Sequence, residues 1–209
     1  MIELIIYGVI GYILGSIPTA VWVGKYYYNI DIRNEGSKNA GATNTFRVLG
    51  KKPGVIVLLI DIFKGVIAVL LPFLLGYAPW KSDQLIELQL IIGILAVLGH
   101  VFPLFAQFKG GKGVATSLGI IIGIHPPAAA FCLILFLITF IAFSFVSLGA
   151  IVAAIGFPIL VEFYFINSNI YLTYFSIILA IAVIAAHHKN IKRLIKGEEN
   201  RMNLFSKKS

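Results

Sequence analysis

Long apolar runs separated by short polar blocks fill almost the whole chain. A helical membrane crossing needs about 20 mostly apolar residues, and the runs predict seven segments: 2 to 24, 54 to 78, 85 to 107, 111 to 124, 127 to 147, 149 to 166 and 170 to 187. The fourth is short, bounded by a glycine-rich start and by the His125-Pro126-Pro127 break, and reads as tilted, partial or re-entrant. The fifth and sixth form one apolar stretch too long for a single crossing, so a division is expected near Ser144 to Gly149. The predicted fold is all-α, a polytopic membrane protein of about seven helices forming a single domain over 1–209, with no internal repeat.

Composition supports that class. Apolar residues make up 59% and charged residues 12% of the 209, and the mean hydropathy is +0.93, well outside the range of soluble domains. The first apolar run lacks a basic leader and is too long for a cleaved signal peptide, so it reads as a retained helix. The single cysteine, Cys132, excludes an internal disulfide and sits where packing is its expected role.

The formal charge is +8 and is strongly localised. Of 17 Lys and Arg residues, six lie between Lys25 and Lys52, two at Lys109 and Lys112, and seven from Lys189 to Lys208. Positively charged loops face the cytoplasm. Seven crossings put all three places on one side, which predicts an outside N-terminus and a cytoplasmic C-terminus. The other side receives Trp80 to Asp83, the His-Pro-Pro turn and Asn167 to Asn169. No basic and aromatic surface of the kind that binds nucleic acid is evident.

Three polar blocks on the basic side carry candidate chemistry. The first, DIRNEGSKNAGATNTFR from Asp31 to Arg47, offers neutral donors in Ser37, Asn39, Thr43 and Asn44 and fixed cations in Arg33 and Arg47. A solvated loop with ordinary turns is the plain alternative. The second contains FKGGKGVAT, Phe108 to Thr116. Glycines let backbone amides crowd an anion, Lys109 and Lys112 add charge, and a helix N-terminus follows, so the stretch suits a phosphate. A tight structural turn would explain the same glycines. It is not a nucleotide-binding P-loop, because Gly113 follows Lys112 and Ala106 stands in place of the first glycine.

The third block, HHKNIKRLIKGE from His187 to Glu198, reads as a helical exit from the membrane that aligns His187, Asn190, Ile191 and Leu194, with Glu198 beyond. Snorkelling interfacial residues are the alternative. Asp61 and Lys64, one turn apart within the second crossing, mark either function or a structural ion pair. Ser144 and Ser147 lie where the fifth crossing returns to the basic side.

Together these stretches resemble the bacterial acyl-phosphate:glycerol-3-phosphate acyltransferase family of integral membrane enzymes. The resemblance rests on GSIP at Gly15, DIRNEGSKNAGATNTFR at Asp31, DIFKG at Asp61, GHVFPLFAQFKGGKGVAT at Gly99, VSLGA at Val146 and HHKNIKRLIKGEE at His187. It implies a seven-helix membrane domain in the cell membrane with a cytoplasmic site. The implied reaction is acyl transfer from acyl phosphate to the 1-hydroxyl of glycerol 3-phosphate, giving lysophosphatidic acid and inorganic phosphate in phospholipid synthesis.

By motif position it implies Ser37, Arg47, Lys112, His187 and Asn190 as catalytic. Arg33, Asn39, Thr43, Asn44, Gly110, Gly111, Gly113, Ser147 and Glu198 are implied as substrate-binding. No cofactor, metal or obligate protein partner is implied, and His100, His125 and His187 show no ligand spacing. Departures from the family pattern are Lys38 where many members have Gly, and Gly149 and Ala150 where Ala and Ser are common. No histidine is followed by an Asp five places on, as the soluble and monotopic acyltransferases require. A phosphorylated-anion transporter, a non-catalytic lipid-binding subunit and an acyl-enzyme route through Ser37 are competing readings.

Overall fold

The computed structural model describes residues 2–163 and 170–202. The expected turn at Asn167 to Asn169, and Lys207 and Lys208 of the basic tail, lie outside the described residues. Among these residues ten α-helices follow in order: α1 Ile2–Gly15, α2 Thr19–Tyr28, α3 Ala42–Leu49, α4 Lys51–Leu74, α5 Asp83–Val101, α6 Val114–Ile124, α7 Pro126–Phe143, α8 Val146–Phe163, α9 Ile170–Ala186 and α10 His188–Ile195. No strand occurs among the described residues.

Among the described residues, five stretches are long and apolar enough to cross a membrane: Ile2–Tyr28, Lys51–Leu74, Asp83–Ala106, Pro126–Phe143 and Val146–Phe163. A sixth qualifies if α9 and α10, bent by 62° at their junction, count as one. Helix α6 is the shorter apolar element foreseen as the fourth segment. Large apolar side chains point outward, Ile141, Phe163 and Ile181 among them, as expected when lipid rather than water surrounds the bundle.

The first predicted segment is not one helix from 2 to 24. It breaks at Ser16–Pro18, because Pro18 has no N–H with which to continue the ladder. The long apolar stretch divides at Ser144, whose φ of 62° turns the chain between α7 and α8. Helix α3 lies in the first polar block, where hydropathy alone predicts only a loop.

Two close crossings position the basic face. Helix α4 packs along α6, and α1 along α5. A Cβ at Gly119 would stand 2.0 Å from the Ile62 carbonyl oxygen and one at Gly65 2.3 Å from that of Thr116. Small residues are what let membrane helices approach this closely. Gly15 and Gly99 meet the backbones of α5 and α1 in the same way. The main apolar core lies between α4, α5, α6, α8 and α9, around Val69, Ile92, Ile120, Phe157 and Phe175.

Candidate active site

Asn44 organises the first block. It is buried on α3, its Oδ1 accepts the Ser37 amide at 2.8 Å, and its Nδ2 donates to the carbonyls of Ile32 and Glu35 at 3.0 Å each. With all these bonds made inward, Asn44 holds the shape of the loop that carries Ser37. Arg33 is similarly committed: it makes a two-pronged pair with Asp31 and donates to the Ala106 carbonyl at 3.0 Å, joining this loop to the second block. These bonds from Arg33 hold the Asp31 carboxyl well below the usual carboxylate range. Ser37 and Arg47 remain exposed, while Asn39 and Thr43 are half-buried.

The glycine loop corrects one expectation. The Gly110 and Gly111 amides do not face outward as anion donors: they donate to the carbonyls of Val101 and His100 at 3.1 and 3.2 Å. Their lack of a side chain matters because a Cβ would lie 2.0 Å from the His100 carbonyl oxygen at Gly110 and 2.1 Å from His100 Nε2 at Gly111. Gly113 caps α6 with φ 80°, a conformation that glycine adopts without strain. The amides available to an anion are those of the first turn of α6, which have no partner within the helix.

Lys112 ties the second block to the third. Its Nζ donates to Asn190 Oδ1. Asn190 Nδ2 donates in turn to Glu199 Oε1 at 2.7 Å, and Ser147 Oγ, at the start of α8, donates to the same oxygen at 3.0 Å. Arg193 Nε completes the cluster at Glu199 Oε2, 2.7 Å. Burial pushes the Lys112 ammonium down to about 8; Glu199 acts in the opposite sense, and Arg193 and Arg47 depress it further. Burial alone would raise the Glu199 carboxyl, but hydrogen bonds from Arg193, Asn190 and Ser147 outweigh it and leave the group below its usual range.

The carboxylate in this cluster is Glu199, not Glu198. Helix α10 stops at Ile195, and Gly197 at φ 71° turns the chain so that Glu198 faces solvent and its neighbour faces Asn190. A helix extrapolated past Ile195 cannot anticipate that change of phase. The tail then reaches the link between α7 and α8: the Met202 amide donates to the Ser144 carbonyl at 2.8 Å, and the Arg201 guanidinium lies 5.4 Å from the Phe145 ring centre.

His187 sits at the bend between α9 and α10, 3% exposed. Its Nδ1 lies 2.8 Å from the Val183 carbonyl oxygen. A carbonyl only accepts, so Nδ1 carries the proton and in the neutral ring Nε2 holds the lone pair. Among the described residues no group of three or more His, Cys, Asp and Glu side chains could hold a metal ion. The three polar blocks, far apart in the chain, thus share one face of the bundle, linked by Arg33 to Ala106 and by Lys112 to Asn190.

The family model described as glycerol-3-phosphate acyltransferase matches residues 5–197. The chain belongs to the glycerol-3-phosphate acyltransferase family. Members of the family from Streptococcus pyogenes serotype M5 (strain Manfredo) and serotype M49 (strain NZ131), both named glycerol-3-phosphate acyltransferase, are 42% identical over 205 residues, 95% of this chain and 92% of theirs. The crystal structure of PlsY (YgiH), an integral membrane glycerol 3-phosphate acyltransferase, is similar in its glycerol 3-phosphate form at a TM-score of 0.87 and 34% identity, covering 98% of this chain and 100% of that one. Its lysophosphatidic acid form is similar at 0.83 and 33%, covering 96% of each.

Set within the family, the departures acquire a physical reading. Lys38 has φ 59°, the conformation that a glycine there would adopt without cost. Gly149 brings α8 against α7, where a Cβ would lie 3.0 Å from Phe136. Ala150 is buried and cannot donate.

Proposed function

We propose that this membrane enzyme transfers a fatty acyl group from acyl phosphate to the 1-hydroxyl of glycerol 3-phosphate, releasing 1-acylglycerol 3-phosphate and inorganic phosphate. The observation that carries the reading is the meeting of Lys112, Asn190, Ser147 and Arg193 on one face, with Arg47 close enough to act on the Lys112 charge. Two phosphorylated substrates need such a cationic, donor-rich site. A carrier for phosphorylated anions would instead be expected to gather its polar groups near the bilayer midplane between repeats.

Acyl phosphate is a mixed anhydride, so its carbonyl is already activated and the leaving group is a stable phosphate. Catalysis then rests on placing the glycerol hydroxyl about 3 to 3.5 Å from the carbonyl carbon, which supplies roughly 7 to 11 kcal/mol of the barrier. The hydroxyl oxygen bonds to the carbonyl carbon, the bond from that carbon to the bridging phosphate oxygen breaks, and the hydroxyl proton leaves to a base. Either His187 Nε2 or a phosphate oxygen of the donor accepts that proton. Lys112, Arg47 and the first turn of α6 hold the phosphates, with Thr43 and Gly113 at the edges of those two binding elements. Ser37 and Asn39 supply donors to the oxyanion. Arg33 and Asn44 maintain the first loop, Gly110 and Gly111 the second, and Ser147 keeps the third block in register through Glu199.

The enzyme is read as one domain that crosses the cell membrane seven times, N-terminus outside, with the site on the cytoplasmic side and surrounding lipid as its solvent. The test is lysophosphatidic acid formation by purified protein, run in parallel with acyl phosphate and acyl-CoA, each with and without chelator. Product from acyl phosphate alone, unaffected by chelator, is expected. Product from acyl-CoA, or none from either, would overturn the reading. Wild-type protein incubated with labelled acyl phosphate alone, beside Ser37→Ala, should retain no covalent acyl group if transfer is direct.

A further inference from the structure

Beneath the glycine loop lies a second polar cluster that the reaction scheme leaves unused. Asp61 and Lys64 form an ion pair at 2.8 Å on α4, with side chains only 2% and 4% exposed. Thr19 Oγ1, at the start of α2, donates to Asp61 Oδ1 at 3.0 Å. Lys64 Nζ donates to the Ile17 carbonyl at 3.0 Å, in the break between α1 and α2. His100 closes the cluster: its Nδ1 is 3.7 Å from Asp61 Oδ1 and 3.2 Å from Thr116 Oγ1, in the first turn of α6.

A bare ion pair of this burial gains little net stability over a well-packed apolar replacement, so stability alone is a weak reason for its presence. Its connections are more informative. The opposite edge of the His100 ring abuts Gly111, where even a Cβ would lie 2.1 Å from Nε2, and the His100 carbonyl accepts the Gly111 amide. Lys112 is the next residue. From α4 the chain of contacts therefore runs through His100 to the backbone on which the phosphate-binding lysine stands, while Thr116 fixes the same ring to the helix that follows.

We propose that Asp61, Lys64, His100 and Thr116 are positioning residues for glycerol 3-phosphate: together they set the height of the Gly110–Gly113 turn and so the position of the Lys112 ammonium. The inference rests on the acyltransferase reading above, and wild-type activity measured in parallel tests that reading separately. The side chains of the cluster are buried beneath the loop and act through it, so their removal should weaken phosphate binding more than it slows the bound complex.

The experiment measures KM for glycerol 3-phosphate and kcat in the Asp61→Asn/Lys64→Met protein, which buries no unpaired charge. KM should rise at least tenfold while kcat per folded molecule changes less than threefold. Thr116→Val, which removes only the hydroxyl beneath His100, should shift KM in the same direction, and Thr116→Ser should restore it. A purely structural role would lower the yield or melting temperature of these proteins and leave KM at the wild-type value. If the double variant does not fold, the Thr116 pair decides alone. A wild-type KM in Thr116→Val, or a loss confined to kcat, overturns the proposal.

Discussion

Lys112 is a half-buried cation whose ammonium is pushed down to about 8, so its charge is present below that pH and fades above it. If it binds phosphate, kcat/KM for glycerol 3-phosphate should fall as pH rises through about 8, and Lys112→Met should abolish that limb. The same substitution should lower kcat/KM by roughly 10² to 10³, the usual loss for one preorganised donor, without changing the melting temperature by more than a few degrees. Glu199 behaves in the opposite sense. Held below the usual carboxylate range, it remains ionised as pH falls through that range, and its bonds to Asn190, Ser147 and Arg193 persist until its lowered pKa is passed. Resistance of the 197–202 tail to proteolysis should therefore survive mild acid and be lost in Glu199→Gln at neutral pH.

The residue types of the site are legible in the sequence; several of their connections are not. Lys112 and Asn190 can be singled out from charge and motif position, and the structure joins them. Gly110 and Gly111 attract notice as amide donors, yet their amides are used inside the turn, and what the structure requires of them is the absence of a Cβ beside His100. Glu198 and Glu199 cannot be separated without knowing that Gly197 adopts positive φ. Adjacent glutamates after a glycine carried the only available signal.

At the scale of elements, hydropathy finds the long crossings because 18 or more apolar residues leave few alternatives. It misses α3, whose eight residues ATNTFRVL are amphipathic and evenly divided between apolar and polar, and the break at Ser16–Pro18, which is short and flanked by apolar residues. The crossing of α4 and α6 presents the glycine loop, and it tolerates no added atom at Gly119. Gly119→Ala should force the helices apart and cost on the order of 1 to 3 kcal/mol, read as a lower melting temperature in detergent with a matching loss of activity. Lys38→Gly should act oppositely. Relief of its left-handed backbone is worth about 1 to 2 kcal/mol, offset in part by glycine's freedom in the unfolded chain, so thermal stability should hold or rise slightly.

At the scale of the whole molecule, the charge pattern predicts one membrane side for three stretches that the geometry brings into contact. Charge counting puts three basic stretches on one side of the membrane, and hydrogen bonds from Arg33 to Ala106 and from Lys112 to Asn190 bind those stretches to one another. The proposed reaction, which joins a cytoplasmic glycerol 3-phosphate to a membrane-borne acyl chain, calls for a site at the inner leaflet. The most direct measurement is side-specific labelling of single cysteines at Lys38, Lys109 and Lys196, all exposed, in protein whose buried Cys132 is replaced by serine. An impermeant thiol reagent should modify all three in sealed inside-out vesicles and none in right-side-out vesicles. Labelling of any one of them from the outer side would contradict a shared cytoplasmic pocket.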